Sequence, residues 1–447
     1  MDLKVLALAR NYTDRKSAPI RKIPVSTPVE FNWKDHPLKD KIFTDGQGIF
    51  WLENWNIKDY APTGVTYYVD PSNVTGNAND NNSGLTPDEP LERPNQAIIK
   101  SNVDVIEVMS DAPRNRIFGS QTLTRDLTIK AYNGRDIVIG ADETGVSWTK
   151  TEGQTNVYQT SVGTVYDVVD RSVLDGEGDW TKFVNVESTT KVNSTPASWY
   201  QTEGTLYIHT PDSRPADGDV KVLLNVALID FTYDDDATLF LEGIKFYGGR
   251  TVQVKSSTDQ VKFYAKDCEF NFGNFQQGNG LAIQGQVQPV SQNCISAKNY
   301  NDGFNYGWLS GSGIPEAIEI ECIGRNNGDN GESENGSTMH NGGKIIRVNC
   351  AHYRNKGPNI NDVHPFTRSW NMGCIAFEST AETSVQSVDF RVNQQGTSSD
   401  EPLMWLDYCN AYGSIYSLEA REYSALYVRC VNFQTELIDE NGTKEFY

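Results

Sequence analysis

The sequence predicts an all-β protein built as a single-stranded parallel β-helix, and three observations lead to this fold class. First, seven cysteines lie beyond residue 267 of the 447-residue chain, at intervals of 26, 28, 28, 24, 35 and 21 residues. Second, a bulky apolar residue stands four positions before each cysteine, as Ile318 does before Cys322. Third, short strand-like runs alternate with Gly- and Asn-rich turns, and long helical patterns are nearly absent. A repeat of about 27 residues made of such strands is one coil of a solenoid, stacked about 4.8 Å above the previous coil.

The cysteines are predicted to form an interior ladder of reduced thiols. Stacked coils would bring them close enough for disulfides, but their odd number and shared sequence surroundings disfavour a disulfide framework. No Cys-x-x-Cys pair occurs, which disfavours a zinc site of the usual spacing. Small apolar thiols fill a narrow core well, so the cysteines are given a structural role and no part in catalysis. The predicted ladder consists of Cys268, Cys294, Cys322, Cys350, Cys374, Cys409 and Cys430.

Charge and hydropathy exclude several classes of partner. The chain has 59 acidic and 39 basic residues and a net charge of -20, which disfavours nucleic acid and anionic membrane surfaces. No apolar stretch approaches the roughly 20 residues of a membrane span. The first ten residues contain an apolar run of only five, which is too short for the core of a signal peptide. The protein is therefore expected to be made in the cytoplasm without a standard export signal.

Four segments follow from the distribution of strand-like runs. Residues 1–64 are proline-punctuated and close to electrically neutral, and they are predicted to form an N-terminal arm with a separate docking role. Residues 65–145 are predicted to form the first coils of the β-helix. Residues 146–225 interrupt the pattern with three tryptophans and paired strands, which indicates a small β insertion beside the coils. Residues 226–447 are then predicted to form the main β-helix with its cysteine ladder.

Four sequence stretches resemble a known group of proteins. The segment YYVDPSNVTGNANDNNSGLTPDEPLERPNQAI at residues 67–98 resembles the opening coil of right-handed β-helix proteins of the pectate-lyase-like superfamily, especially bacteriophage and prophage tail spikes and appendages. DGFNY at residues 302–306, STMHNGG at 337–343 and GPNINDV at 357–363 are similar to the same group. The resemblance implies a right-handed parallel β-helix that grips and cleaves a bacterial surface polysaccharide. It further implies a homotrimer on the virion tail, with the arm docked on the phage tail or baseplate.

Candidate catalytic residues concentrate in three consecutive turns near the middle of the cysteine series. Asp302 lies eight residues after its cysteine and Asp329 seven after its own, so stacking in register would place both carboxylates side by side. Glycoside hydrolysis needs a pair of carboxyl groups about 5–9 Å apart, one as acid and one as nucleophile or base. The alternative is that Asp and Asn only cap the backbone of the turns. The candidates are Asp302, Asp329, Glu332 and Asp362, with His340 assisting.

Substrate-binding candidates surround the same turns. Aromatic faces suit sugar rings, while histidines and arginines suit polar or acidic groups. These candidates are Tyr306, Trp308, Arg325, His364 and Arg368. A lyase acting by β-elimination on a uronate polymer remains open, with His340, Tyr306 or a lysine as base. It would also need a metal or a cation on the uronate, and Arg325, Lys344, Arg347 and Arg368 are available. A non-catalytic receptor-binding spike also remains open, because Gly307 and Asn341 replace a His and an Asp that similar proteins often have.

The sequence predicts no cofactor. Asp80 to Gly84 (DNNSG) has the composition of a calcium-binding turn, which leaves a structural Ca²⁺ as a weak alternative. The twelfth position of that turn is Leu91 and not Glu, so an EF-hand is excluded. Motifs for phosphate or dinucleotide binding, for serine hydrolases and for zinc proteases are missing.

Overall fold

The computed structural model describes residues 21–274, 278–309, 313–328, 334–381, 387–395, 400–439 and 441–447, without the side chains of residues 258 and 259. Within these residues the chain winds into successive coils whose strands pair in parallel with the coils before and after them. This confirms the predicted parallel β-helix with an arm and a small β insertion. Each coil contributes strands to three faces, which we call the groove face, the arm face and the insertion face. No helix in the described part of the chain has the length and apolar character needed to cross a membrane.

The groove face and the arm face meet along two long strands that run through both of them, Arg250–Lys266 and Leu281–Gln292. Beside these two, the groove face consists of Gly119–Leu123, Ala227–Tyr233, Phe304–Gly307, Ser337–Met339, Ile360–Val363, Val388–Asn393, Tyr416–Arg421 and Glu436–Ile438. The arm face consists of Thr66–Val69, Val105–Val108, Leu127–Ala131, Ala237–Glu242, Glu316–Ile320, Lys344–Val348, Arg368–Met372, Leu403–Asp407, Ala425–Arg429 and Thr443–Phe446.

The insertion face is a separate nine-stranded parallel sheet of short strands. Its strands are Ile137–Gly140, Ile244–Tyr247, Glu269–Asn271, Ile295–Ala297, Ile323–Arg325, Ala351–Tyr353, Ile375–Phe377, Asn410–Tyr412 and Asn432–Phe433. A single α-helical turn, Pro94–Ile98, lies among the first coils. The interior between the three faces is filled by a continuous apolar core.

The insertion consists of two small sheets and a short helix. Its strands are Thr149–Lys150, Tyr158–Ser161, Asp167–Leu174, Trp180–Lys182, Val184–Asn185, Ser198–Thr202, Thr205–His209 and Val220–Leu223, and its helix is Thr189–Ser194. The chain leaves the coils after Gly140 and returns at Ala227. The coils before and after this excursion stack directly, since Ala227–Tyr233 pairs with Gly119–Leu123 and Ile244–Tyr247 pairs with Ile137–Gly140. The insertion has a core of its own, with Val168, Trp199 and Ile208 among its buried residues.

Six of the seven cysteines form the predicted interior ladder. They are buried, unpaired and located at the corner between the arm face and the insertion face. The residue before each of them has a left-handed backbone, which makes the sharp corner. The prediction is wrong for the seventh cysteine, Cys430, which is exposed and itself adopts the left-handed conformation. The pairing of Asp407 with Arg429 places Cys430 opposite Tyr408, so Val431 occupies the ladder position of the last coil.

The described part of the arm packs along the outer side of the arm face. Its strands are Ile23–Pro24, Ile42–Thr44 and Phe50–Leu52. Phe31, Leu38 and Phe50 are buried there against the apolar residues that stand four positions before the cysteines, such as Ile346 and Trp370. These apolar residues therefore point outward into the arm, while the cysteines point inward. The arm covers an apolar surface of the coils, a structural role that the sequence did not indicate.

Candidate functional site

A polar groove runs along the outer side of the groove face. Side chains alternate inward and outward along a strand, and parallel register places equivalent residues of neighbouring coils side by side. Asn305 pairs with Thr338, which pairs with Asn361, which pairs with Arg391. The groove extends from Gln253 to Arg421 and has a volume of about 610 Å³. These ends lie six strand spacings apart, or roughly 29 Å, which is long enough for an oligosaccharide.

Asp302 lies on the floor of the groove and is held by three donors. Its Oδ1 accepts hydrogen bonds from the backbone nitrogen and the side-chain Nδ2 of Asn335, at 2.8 and 2.9 Å. Its Oδ2 accepts a hydrogen bond of 2.6 Å from Nδ2 of Asn305. Only 3% of Asp302 is exposed, and that surface opens into the groove. The carboxylate is therefore fixed in one orientation by residues from its own coil and from the next.

A second carboxylate, Glu334, lines the same groove. It is the residue before Asn335, whose backbone and side chain both bind Asp302. Among the groove-lining residues that the structure describes, Asp302 and Glu334 are the acidic ones. The described lining of the groove therefore contains two carboxyl groups, which is the number that glycoside hydrolysis uses.

His340 lies next to Asp302 and is uncharged near neutral pH. Nδ2 of Asn305 donates to Nε2 of His340 over 3.3 Å, which requires this nitrogen to be free of a proton. Burial lowers the pKa of His340 from its usual value, although the charges of Asp302 and Asp362 oppose the shift. The ring of His364 packs against it with centroids 5.5 Å apart. Burial and the neighbouring His340 also lower the pKa of His364. The structure thus brings the two predicted histidines together.

The other end of the groove is cationic. Arg391 donates through Nε to Oδ1 of Asn361 at 3.0 Å and lies 3.7 Å from the carboxylate of Glu419. Arg421 forms an ion pair of 2.5 Å with the same carboxylate. Burial raises the pKa of Glu419, although both arginines oppose the shift. Two guanidinium groups thus lie beside one buried carboxylate at this end of the groove.

Three of the predicted site residues lie elsewhere, and the first is Asp362. It is fully buried on the inner side of the groove face, where Arg347 binds it through two hydrogen bonds of 2.8 and 2.9 Å. Its neighbour Asn361 points outward, so the alternation of side chains along the strand explains the difference. In this position Asp362 cannot contact a polysaccharide. Its prediction as a catalytic carboxylate is therefore wrong.

The prediction that Tyr306 and Arg325 bind substrate is also wrong. Tyr306 points into the core, and burial raises the pKa of its hydroxyl well above the usual value, which also removes it as the base of a lyase. Arg325 is buried on the insertion face in an ion pair with Asp179. The cations expected to bind a uronate are likewise occupied, since Arg347 binds Asp362 in the interior and Lys344 pairs with Glu316 at 2.6 Å.

The remaining predicted residues lie in different parts of the molecule. Trp308 follows the groove-face strand Phe304–Gly307 and is 50% exposed, so it stays a candidate sugar platform. Arg368 lies at the start of an arm-face strand and donates to the carbonyls of Thr367 and Glu401 at 3.0 and 2.7 Å. Asp329 and Glu332 lie outside the described residues, so the predicted pairing of Asp302 with Asp329 stays a prediction.

In the candidate calcium turn, the carboxylate of Asp80 is already bound by other residues of the protein. Oδ1 of Asp80 accepts the backbone N–H groups of Glu92 and Arg93 at 3.1 and 3.0 Å, and its carboxylate pairs with the Arg93 guanidinium. These contacts fasten the turn to the chain that follows it.

Several solved structures are similar to this chain at very low sequence identity, and the first two below have TM-scores above 0.5. The structure of XylC with xylose is 13% identical over 82% of this chain and 69% of that chain, with a TM-score of 0.53. A glycoside hydrolase is 9% identical over 86% of this chain and 96% of that chain, with a TM-score of 0.54. The pectate lyase Pel9A is 11% identical over 85% of this chain and 78% of that chain, with a TM-score of 0.43. No protein-family profile matches the sequence, and no curated protein matches it.

Proposed function

We propose that this protein binds a polysaccharide in the groove and hydrolyses a glycosidic bond beside Asp302. The observation that supports this most directly is the pair formed by Asp302 and Glu334, two carboxyl groups in one groove of about 610 Å³. The same fold in XylC and in the glycoside hydrolase is compatible with this proposal. Fold alone does not determine chemistry, so the assignment depends on the groove residues of this chain.

The hydrogen bonds of Asp302 suggest its role, and Glu334 is then assigned the complementary one. Asp302 accepts three N–H hydrogen bonds and donates none, which suits a carboxylate acting as nucleophile or as base toward water. Glu334 is the partner that protonates the leaving oxygen. The neutral imidazole of His340 keeps Asn305 in place through its hydrogen bond, and it can accept a proton at Nε2. Asn305 thus links Asp302 and His340.

The target is proposed to be a bacterial surface polysaccharide. This finer assignment, with a tail-spike location, docking through the arm and a homotrimeric assembly, depends on the resemblance of residues 67–98 and 302–363 to tail spikes. The length of the groove supports a polymer over a single sugar, because its lining residues extend across several coils. The exposed ring of Trp308 supplies a platform for a sugar ring near the groove.

A uronate lyase is the second candidate, and one observation favours it. Arg391 and Arg421 share a single buried carboxylate at one end of the groove, so they can hold the carboxylate of an acidic sugar. His340, with its unprotonated Nε2, would be the base that removes the proton next to the uronate.

One experiment separates the alternatives. The full-length protein is incubated with a panel of bacterial capsules, exopolysaccharides and teichoic acids, and reducing ends and near-ultraviolet absorbance are recorded together. New reducing ends without absorbance support hydrolysis, whereas a parallel rise of both signals identifies a lyase. Tight binding of one polymer without either signal would replace the enzyme by a receptor-binding spike. Neither binding nor turnover on any polymer of the panel would contradict the proposal.

A further inference from the structure

The interior of the β-helix contains a cluster of polar side chains that the groove chemistry does not use. Glu319, Cys350 and His352 are fully buried, and one ligand atom from each lies within 4.8 Å of the other two. Glu319 belongs to one coil, and Cys350 and His352 belong to the next. The cluster therefore spans two neighbouring coils inside the core.

His352 is a large polar residue in a part of its column that otherwise carries small residues. The two positions before it are Ser296 and Gly324 and the two after it are Ala376 and Ala411, while Phe270 and Phe433 stand further out. Gly324 leaves room for the imidazole, because a Cβ at this position would meet Nδ1 of His352 at 2.5 Å. A large polar side chain and the space for it thus occur together beside Glu319, which a core built only for packing would not need.

Several polar atoms of the cluster have no hydrogen-bond partner. They are Oε2 of Glu319, both ring nitrogens of His352 and the hydroxyl of Tyr306. Nε2 of His352 lies 3.3 Å from Oε2 of Glu319, but the two atoms are not in hydrogen-bond geometry. The other oxygen of Glu319 is satisfied by the hydroxyl of Ser337 at 2.6 Å. Buried atoms of this kind are normally paired, so their concentration in one place is typical of a site that binds a ligand.

The charges of the buried side chains around the cluster favour a cation as this ligand. Glu319 and Asp362 supply two negative charges in the described interior, and Arg347 supplies one positive charge. Arg347 is occupied by Asp362 and lies 3.8 Å from Glu319. One negative charge is therefore left in a dry core, where an uncompensated charge is costly.

We propose that Glu319, Cys350 and His352 bind a structural Zn²⁺ ion between two coils. A carboxylate oxygen, a thiolate and an imidazole nitrogen are ligands that zinc prefers. The S–Zn bond forms as the thiol proton leaves to solvent, so Zn²⁺ together with the thiolate adds one positive charge and cancels the excess negative charge. The buried hydroxyl of Tyr306, which also has no hydrogen-bond partner, is the candidate for the fourth ligand. Zinc at this place would fasten the coil of Glu319 to the coil of Cys350.

The test measures the metal directly and needs no knowledge of the substrate. Full-length protein is produced in medium supplemented with Zn²⁺ or with Co²⁺, so that the metal is present while the buried site forms. Elemental analysis is expected to find close to one zinc ion per chain after dialysis. The Co²⁺ form is expected to show a thiolate-to-cobalt charge-transfer band in the near ultraviolet together with intense tetrahedral visible bands.

Cys374 supplies a matched control, because it is an equally buried ladder cysteine one coil further on. Cys350→Ala should lose the charge-transfer band and most of the bound metal, whereas Cys374→Ala should keep both. Wild-type protein without bound metal would overturn the proposal and identify the cluster as an ion pair of Glu319 with a protonated His352. Equal metal content and an equal band in the two variants would place the ion elsewhere and would also overturn it.

Discussion

Arg325 of the insertion face forms a buried ion pair with Asp179 of the insertion, 146 residues earlier in the chain. Nη2 of Arg325 donates to Oδ1 of Asp179 at 2.8 Å, and Nη1 binds the other oxygen. One coil further on, Arg354 pairs with Glu177 at 2.5 Å. These contacts join the loop of residues 175–179 to successive coils and fix the insertion against the β-helix.

Replacing Arg325 by Met should destabilise the protein by about 3–5 kcal/mol, because Asp179 would stay buried without its partner. Urea unfolding of wild type and variant measures the difference. Arg171→Met is the matched control, since Arg171 also contacts an aspartate, Asp111 at 3.4 Å, but both side chains are well exposed. The control should change stability by less than about 1 kcal/mol. Equal effects of the two substitutions would show that the buried pair does not fasten the insertion.

The apolar contact between arm and coils predicts a large effect at Phe31. This ring is fully buried and lies 5.8 Å from the ring of Trp370, measured between centroids. Phe31→Ala should cost about 3–5 kcal/mol of unfolding free energy through the cavity that it leaves. Val29→Ala serves as control, because Val29 is 90% exposed and should change stability little. A small effect at Phe31, measured by denaturant unfolding, would mean that the arm does not contribute to the core.

The same contact makes stability depend on pH through His36. Its ring is only 3% exposed, and burial lowers its pKa from 6.5 to about 4. In the unfolded chain His36 takes up a proton below about pH 6.5, whereas in the folded chain it stays neutral until about pH 4. Stability is therefore retained above pH 6.5 and falls by up to about 3 kcal/mol as the pH drops from 6.5 to 4. Unfolding of wild type and His36→Leu across this range should show that the variant lacks this loss, and parallel curves would contradict the prediction.

The two groove histidines should titrate as neighbours. In acid solution, where His340 takes up a proton, its charge helps to lower the pKa of His364, whose ring centroid is 5.5 Å away. His340→Gln should therefore raise the pKa of His364, as followed by its ring-proton resonances in NMR titrations. His209→Gln is the control, because His209 is bound within the insertion to Val192 and Ser213 and should leave His364 unchanged. An unchanged pKa of His364 in His340→Gln would show that the two rings do not interact.

The coil architecture was predictable because every coil of a solenoid needs the same local backbone geometry at its corners. Each corner needs a left-handed residue followed by a small buried one, and this requirement produces the spacing of the cysteines. A second ladder was present but overlooked. Asn299, Asn327 and Asn355 each stand five residues after a cysteine, and their buried amides bind one another at 2.9 Å from coil to coil. Cys430 was misassigned because the register of the last coil depends on strand pairing and not on spacing.

The candidate site was predictable in location but not in composition. Asp302 and His340 were identified because functional residue types crowd their turns, and both line the groove. Which side of a strand a residue faces depends on its register, so sequence alone could not separate inward Asp362 from outward Asn361. Arg391 was missed because its strand contains no cluster of candidate residues that would draw attention to it.

The most direct test of the account compares Asp302→Asn with Asp230→Asn on the polymer that the wild-type protein cleaves. Asp230 lies on the same face and in the same outward column as Asn305, three coils earlier, and is held by Lys255 at 2.7 Å. Asp302→Asn should lower kcat by more than about a hundredfold while polymer binding is retained, because the amide cannot act as nucleophile or base. Asp230→Asn should stay close to wild type. Full activity of Asp302→Asn would contradict the proposed mechanism.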